Sequence, residues 1–396
     1  MRVPLLDLSE QYRTLAEPIR REIDEILRTQ RFILGPKVEE LESALAKYCG
    51  AKHAIGVSSG TDALLDILMA LGLGPNDAVV TTAYTFFATG GCIARLGARP
   101  VFVEIDPATF NISPAAIAGF LESCQRNASG QLVDSGGRIV RAIVPVHLFG
   151  LCCEMDAINQ LARRYQLTVI EDAAQAIGAE YPARDGGFRK AGTMSAAGSF
   201  SFYPSKNLGA AGDAGLIVTD DDKLAELFRS YRQHGMEPRY FHHVIGGNFR
   251  LDAIQAAILK VKLPHLDDWS AARRRVADFY RAEFAERGLT NRLTLPAEPY
   301  RECGLTNHHI YHQYVIRAPQ RDALQKHLSA RGIGSAIYYP LGLHEQKCFV
   351  DLGYRMGDLP ETERAARETL ALPIYPEITP EMQRAVVDAI AQFFNL

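Results

Sequence analysis

A lysine in the stretch Gly198–Gly215 (GSFSFYPSKNLGAAGDAG) lies between a run that reads as a strand and a glycine-rich loop. A buried ammonium is costly, so lysine is poor filler at such a place. Its amine is suited to condense with an aldehyde, which makes Lys206 a candidate Schiff-base lysine. Ser201, at the strand end before it, can donate to a phosphate, and Gly209, Gly212 and Gly215 let backbone approach a ligand closely. A second segment, Val169–Gln175 (VIEDAAQ), sets Asp172 directly after a buried apolar run. A carboxylate there needs a cationic partner. A pyridinium nitrogen is one, and an acid opposite it keeps the ring protonated and able to accept electrons. If a helix begins here, Gln175 shares a face with Asp172, within reach of the ring's phenolic oxygen.

Two further segments suit the same ligand. Ser58–Asp62 (SSGTD) follows a strand-like run and opens a helix, and free backbone N–H groups with the helix dipole favour an anion there. Ala83–Thr89 (AYTFFAT) follows another strand end, and Phe86 is its candidate for stacking on a flat ring. Each feature alone has an ordinary explanation: a solvated lysine, an aspartate capping a helix, a capped helix start, core aromatics. An anion cradle, an aromatic, Asp-x-x-Gln and Ser-x4-Lys, all at strand ends, are hard to explain by packing.

The elements that must hold these residues follow from periodicity. Leu15, Ile19, Ile23, Ile26 and Leu27 recur at helical steps. Strand runs are read at 53–57, 78–81, 99–104, 139–146, 167–171, 197–201 and 216–219, with helical stretches such as 62–71 interleaved. That alternation predicts an α/β fold, a mainly parallel sheet flanked by helices, with ligands beyond the carboxyl ends of its strands. The character changes near residue 250: a long helical stretch over 251–277 broken near Pro264, a strand at 311–317, a helix at 321–331, a strand at 334–339, and helices at 360–370 and 380–394. The expected division is a large α/β domain with an N-terminal helix over 1–250 and a smaller α+β domain over 251–396. A polar loop near 126–137 is the expected disordered piece.

Composition narrows the class. Of 396 residues, 47% are hydrophobic and 22% charged, ordinary for a globular chain. The net charge of −3 gives no electrostatic footprint for nucleic acid or an anionic membrane. Mean hydropathy is −0.07, and no apolar run reaches the roughly 18 residues of a membrane span. Asp7 and Glu10 stand where a signal peptide would be apolar. The 7 cysteines include no C-x-x-C pair. Reduced thiols in a cytoplasmic protein are the expectation. No ligand triad of metal-binding spacing accompanies the histidines.

The sequence resembles the DegT/DnrJ/EryC1/StrS sugar aminotransferases, of fold-type-I pyridoxal phosphate architecture, over nearly its whole length. The likeness runs through Val3–Leu8, Phe32–Glu42, Ser58–Leu64, Pro145–Gly150, Ile170–Ala176, Phe200–Gly209, Gly247–Ala257, Tyr338–Pro340 and Leu372–Pro376. It implies pyridoxal 5′-phosphate as cofactor, with Lys206 as its Schiff-base lysine, Asp172 opposite the ring nitrogen and Gln175 beside the ring oxygen. Gly60, Thr61 and Ser201 match the phosphate contacts and Phe86 the stacking ring. Asn248 matches an asparagine reaching the phosphate in the neighbouring subunit, which implies a homodimer with shared active sites.

The resemblance further implies transamination from glutamate, leaving 2-oxoglutarate, to a nucleotide-linked keto-sugar. His308–Arg317 and Ile337–Gln346 resemble members that aminate C3. Tyr339, His344 and His309 are then expected near the sugar or nucleotide, and Arg232, His234 and Arg250 near the pyrophosphate. In relatives that dehydrate rather than aminate, histidine replaces the lysine, so Lys206 argues against that rival. A second rival is a regulatory protein of the same fold without turnover. A hydride-transfer enzyme is disfavoured because no G-x-G-x-x-G follows a strand.

Overall fold

The computed structural model describes residues 1–184 and 186–395. Its principal sheet runs, in spatial order, His53–Val57, Gly215–Thr219, Ala197–Ser201, Thr168–Asp172, Ile139–Val144, Asp77–Thr82 and Arg99–Val103. All of these point the same way except Gly215–Thr219, which is antiparallel to both neighbours. The carboxyl ends of the parallel strands therefore share one edge, and Ser58, Ala83, Asp172 and Ser201 all sit on it.

Both faces of the sheet are buried, which is why the strand sequences are apolar throughout rather than alternating. Successive side chains still divide between the two faces. Val80, Ile143, Val169, Leu216 and Val218 join one core with Val38, Leu41 and Leu45 of the helix Pro36–Cys49. Val79, Ala142, Val144, Ile170 and Ile217 join the other with Leu64, Leu65, Ile67 and Leu68 of the helix Gly60–Ala70. That helix starts where it does because the Ser59 side chain accepts the N–H of Asp62.

A separate core lies in the C-terminal part, where Tyr280, Phe284, Tyr314, Ile316, Leu324, Leu328, Leu370, Leu372, Val386 and Ile390 pack together, and Val3 joins them. The long helical stretch after residue 250 is interrupted at Pro264 as expected: Ala253–Lys262, a 3-10 turn, then Leu266–Glu286. Leu251, Ala256, Leu259 and Leu266 pack into the core of the large sheet.

Three local expectations fail. The stretch 334–339 is not a strand; it makes one isolated bridge, Ala336 to Ala371, and Pro340 stops any extension. The end of the expected helix at 360–370 is instead the strand Thr369–Leu372, paired antiparallel with Tyr314–Arg317. The polar loop near 126–137 is ordered: Gln125–Arg126 pairs with Leu132–Val133. Asn127 Oδ1 accepts the N–H groups of Ser129 and Gln131, and Asp134 Oδ1 those of Gly136 and Arg138. Side chains thus supply the turn bonds that a hydrophobic pattern does not reveal.

Behind the sheet edge, Glu171 is wholly buried and fully engaged. Its carboxylate accepts from Gly192 N and Met194 N, both at 2.7 Å, and from His147 Nε2 at 2.8 Å. Because His147 Nδ1 accepts the N–H of Cys153, its proton sits on Nε2. Replacing Glu171 by Ala strands these donors in the interior. We expect a loss of about 3 kcal/mol or more, read as a fall in the urea midpoint followed by circular dichroism.

Candidate active site

Asp172 ends its strand with only 7% of its surface exposed. Its Oδ2 accepts from Thr89 Oγ1 at 2.8 Å and its Oδ1 from Ala174 N at 3.2 Å. Burial pushes the carboxyl pKa up, and the two donors together with Lys206 and His147 pull it back. Lys206 lies in the turn after the Ala197–Ser201 strand, its N–H bonded to Tyr203 O at 2.8 Å. Burial brings its pKa down to about 8, against the pull of Asp172, which favours the ammonium. The amine is therefore part neutral near neutral pH, and Asp172 is its one charged partner of consequence.

The expected anion cradle forms beside this pair. At the start of the helix Gly60–Ala70, Asp62 N is taken by Ser59, and helix geometry leaves the N–H groups of Gly60 and Thr61 without partners. The cradle rests directly on the strand ends. A Cβ on Gly60 would lie 2.6 Å from that of Ser201, and one on Gly215 would lie 2.3 Å from Ser59 O, so neither position admits a larger residue without moving the loop. Asn248 and Arg250 flank it in the same chain, because Ser58 N donates to Phe249 O at 2.8 Å and Val57 bridges Arg250. Asn248 is exposed, and Arg250 Nε is buried without a hydrogen-bond partner.

Gln175 does not stand on a helix. Residues 173–179 form successive turns, with Ala176 N bonded to Ala173 O and Ala179 N to Ala176 O. The side chain is nevertheless held: Oε1 accepts from Phe149 N at 2.8 Å and Nε2 donates to the Tyr339 hydroxyl at 3.0 Å. Tyr339 thereby joins the cluster, and its ring centroid lies 6.4 Å from that of Phe86. Phe86 is 58% exposed, so a face of its ring is open.

Other residues singled out from the sequence lie elsewhere. His309 is buried with its ring stacked 3.8 Å from that of Tyr311, and burial lowers its pKa to about 3. His344 is bonded at 3.4 Å to Glu363, not to the cluster. Arg232 is held through one guanidinium nitrogen by Glu42 Oε1 at 2.5 Å and Gly56 O at 2.9 Å, while its Nε is buried without a partner. His234 sits in a turn with its carbonyl accepting from His242. Sequence reasoning missed Thr89, the direct partner of Asp172, although its segment had been singled out for Phe86. It also missed His312, whose Nδ1 lies 3.2 Å from Oδ1 of Asn207, next to the lysine. Only Thr89's position one helical turn after Thr85 hinted at a role.

These residues fit a flat phosphorylated heterocycle: a buried acid lacking a full set of partners, a part-neutral lysine, free N–H donors at a helix start, an open aromatic face. The sheet and this cluster define a fold-type-I pyridoxal-phosphate-dependent aminotransferase. The chain belongs to the DegT/DnrJ/EryC1/StrS aminotransferase family, which it matches over residues 13–391. It is 49% identical over 395 residues, 100% of this chain and 99% of the other, to a Geobacillus stearothermophilus protein named a pleiotropic regulatory protein. It is 39% identical over 388 residues (98% of both chains to within a point) to the UDP-N-acetyl-3-dehydro-alpha-D-glucosamine 3-aminotransferase of Acidithiobacillus ferrooxidans. Among solved structures, S. venezuelae DesV in complex with a ketimine intermediate superposes with a TM-score of 0.89 at 36% identity, covering 99% of this chain and 98% of that one. No helix among the described residues is long and apolar enough to cross a membrane.

The charge coupling makes a signed prediction. Below about pH 8 Lys206 is an ammonium and above it an amine, so labelling of the cofactor-free protein by an amine-selective reagent should rise through that pH. Asp172→Asn removes the charge that favours the ammonium. The labelling midpoint of Lys206 should then move lower; a midpoint that stays or rises would show that the two groups are not coupled.

Proposed function

We propose that this chain transfers the amino group of glutamate to the C3 keto carbon of a nucleotide-linked sugar, for building amino sugars into polysaccharides or glycosides. The observation that carries the reading is the pairing of a part-neutral Lys206 with the buried Asp172 beside an anion cradle. The name of the Acidithiobacillus relative supports the position of amination. The regulatory name of the Geobacillus relative offers a second reading, a silent binder. A lysine poised for proton transfer favours turnover.

When bound, the cofactor supplies an aldehyde to capture the donor amine and an electron sink for the pair left on its carbon. The residues of the chain do the rest. Asp172 would serve the ring nitrogen as an acceptor. Gly60, Thr61 and Ser201 would hold the phosphate, and Phe86 would support the ring. Gln175, fixed by Phe149 N and Tyr339, presents its amide beside the ring oxygen. Lys206 Nζ takes the proton from the donor's Cα and later returns one to the former keto carbon, a dual role that requires a lowered pKa. Tyr339 is the sugar-facing candidate that touches the cluster, with Arg250 on the cradle side for the pyrophosphate; His309 and His344 would have to act from a second layer.

The working form is a cytoplasmic homodimer in this reading. Between Gly235 and Asn248 the chain carries exposed apolar side chains, Tyr240 at 74%, Phe241 at 65% and Ile245 at 91% exposure. A second copy covering them would bring Asn248 to its neighbour's phosphate. The seven cysteines described are all free thiols, in keeping with a reducing compartment.

Lys206→Ala should keep the circular dichroism of the wild type and lose transamination of a panel of 3-keto and 4-keto nucleotide sugars. The wild type's absorbance at about 400–430 nm should bleach on adding glutamate. Wild-type turnover by the variant would remove Lys206 from the chemistry, and a band indifferent to glutamate would favour the silent binder. Sedimentation should give a dimer, and Asn248→Ala should weaken cofactor retention without dissociating it. A fully active monomer would overturn the shared site.

A further inference from the structure

The strand-end acid is served by a chain of two buried threonine hydroxyls. Thr89 has no exposed surface and Thr85 has 2%. Their Oγ1 atoms lie 3.1 Å apart, and Thr89 Oγ1 lies 2.8 Å from Asp172 Oδ2. An ionised carboxylate only accepts, so Thr89 must donate to it, and the Thr89 oxygen is then free to accept from Thr85. The direction of both bonds is thus set by the charge on Asp172. Thr89 stands in the first turn of the helix Phe87–Arg95, which starts directly after Phe86, so the ring platform and the carboxylate are fixed by one element.

We propose that Thr89 is a positioning residue of this site, whose hydroxyl, backed by Thr85, orients Asp172 and holds it as an acceptor-only carboxylate for the cofactor's ring nitrogen. The inference rests on reading Asp172 as the partner of that nitrogen.

The surroundings explain why such a donor is required. The titratable and charged groups facing Asp172 are Lys206 from the turn after Ser201, His147 from the loop after Val144, Cys92 on the helix of Thr89, Cys153 and Tyr339. His147 is already committed to Glu171, and Lys206 must spend part of its time uncharged. Neither group serves Asp172 alone. The remaining donors to the carboxylate are Thr89 and one backbone N–H, that of Ala174. Removing the hydroxyl strips Oδ2 of its hydrogen bond inside the protein, which favours the protonated acid. A protonated Asp172 keeps a neutral carbonyl acceptor but no longer offers a pyridinium the stronger charge-assisted bond.

Thr89→Val keeps the shape of the side chain and removes the donor; Thr89→Ser keeps the donor. The dissociation constant of pyridoxal phosphate, measured by equilibrium dialysis over a pH series, should rise about tenfold at neutral pH in the valine variant. The acid limb of both binding and kcat should move up by about one pH unit. Serine should restore both, and Thr85→Val should shift them the same way by less. A valine variant with wild-type affinity and an unmoved acid limb would overturn the proposal, as would a serine variant that fails like valine. If valine does not fold, judged by the melting temperature without cofactor, Thr85→Val and Thr89→Ser decide on the same readouts. Asp172→Asn separates the two levels: if it impairs binding while Thr89→Val does not, the site stands and the relay falls. If Asp172→Asn changes nothing, both fall.

Discussion

A carboxylate held nearly out of water at the end of a parallel strand organises this molecule. Desolvating an ion costs several kcal/mol even after relaxation, whereas a hydrogen bond to a charged group contributes about 1.5–3 kcal/mol. Asp172 has one hydroxyl and one backbone N–H directly bonded to it. Those two bonds roughly match the desolvation term without leaving a surplus. Such a carboxylate is poised: it remains receptive to a further cation. Lys206 is receptive in the opposite sense, pushed by burial toward its neutral form while Asp172 holds it back. A cationic ring nitrogen arriving at Asp172 would satisfy the acid and release the lysine from half of that tension.

The sheet makes this possible by bringing distant segments to one line. Asp172 and Ser199 are register partners on adjacent parallel strands, and Ala173 N bonds to Ser199 O. The chain that carries Lys206 therefore leaves the sheet beside Asp172 by backbone geometry alone. The antiparallel strand Gly215–Thr219 does the same for the anion cradle. Its register sets Gly215 opposite both Ser201 and Val57, so the phosphate loop, the serine and the lysine turn meet over a residue without a side chain. That is the physical need for glycine at 215, where a Cβ would strike Ser59 O.

Much of this was legible from residue types. Strand periodicity located every parallel strand to within a residue or two, because both faces are buried and the runs are apolar throughout. Lys206, Asp172 and the Ser58–Asp62 and Ser201 segments stood out only jointly, because all lie at strand ends. What stayed hidden depended on partners distant in the chain. Thr369–Leu372 reads as the tail of a helix until its pairing with Tyr314–Arg317 is seen. Gln175 lies in a turn and not on a helix, so its orientation comes from Phe149 N and Tyr339 rather than from helical spacing. Thr89 was passed over because a buried threonine on a helix has an ordinary reading, and only the 2.8 Å approach of Asp172 gives it another.

The histidines show the same limit from the other side. His309 and His344 attract notice because the family resemblance sets them near the sugar or nucleotide, yet each is absorbed by a local partner: Tyr311 and Glu363. His312, which lies in the same His308–Arg317 segment as His309 but was given no role, sits instead against Asn207, and Asn207 Nδ2 in turn donates to Ile310 O at 3.0 Å. These bonds tie the turn bearing Lys206 to the segment that leads into the C-terminal core. Burial above all, then Lys206 and buried Arg273, opposes a positive charge on His312 and holds its pKa well below the usual histidine range. A neutral imidazole adds no second positive charge beside the lysine, so burial and Asp172 set the protonation of the amine.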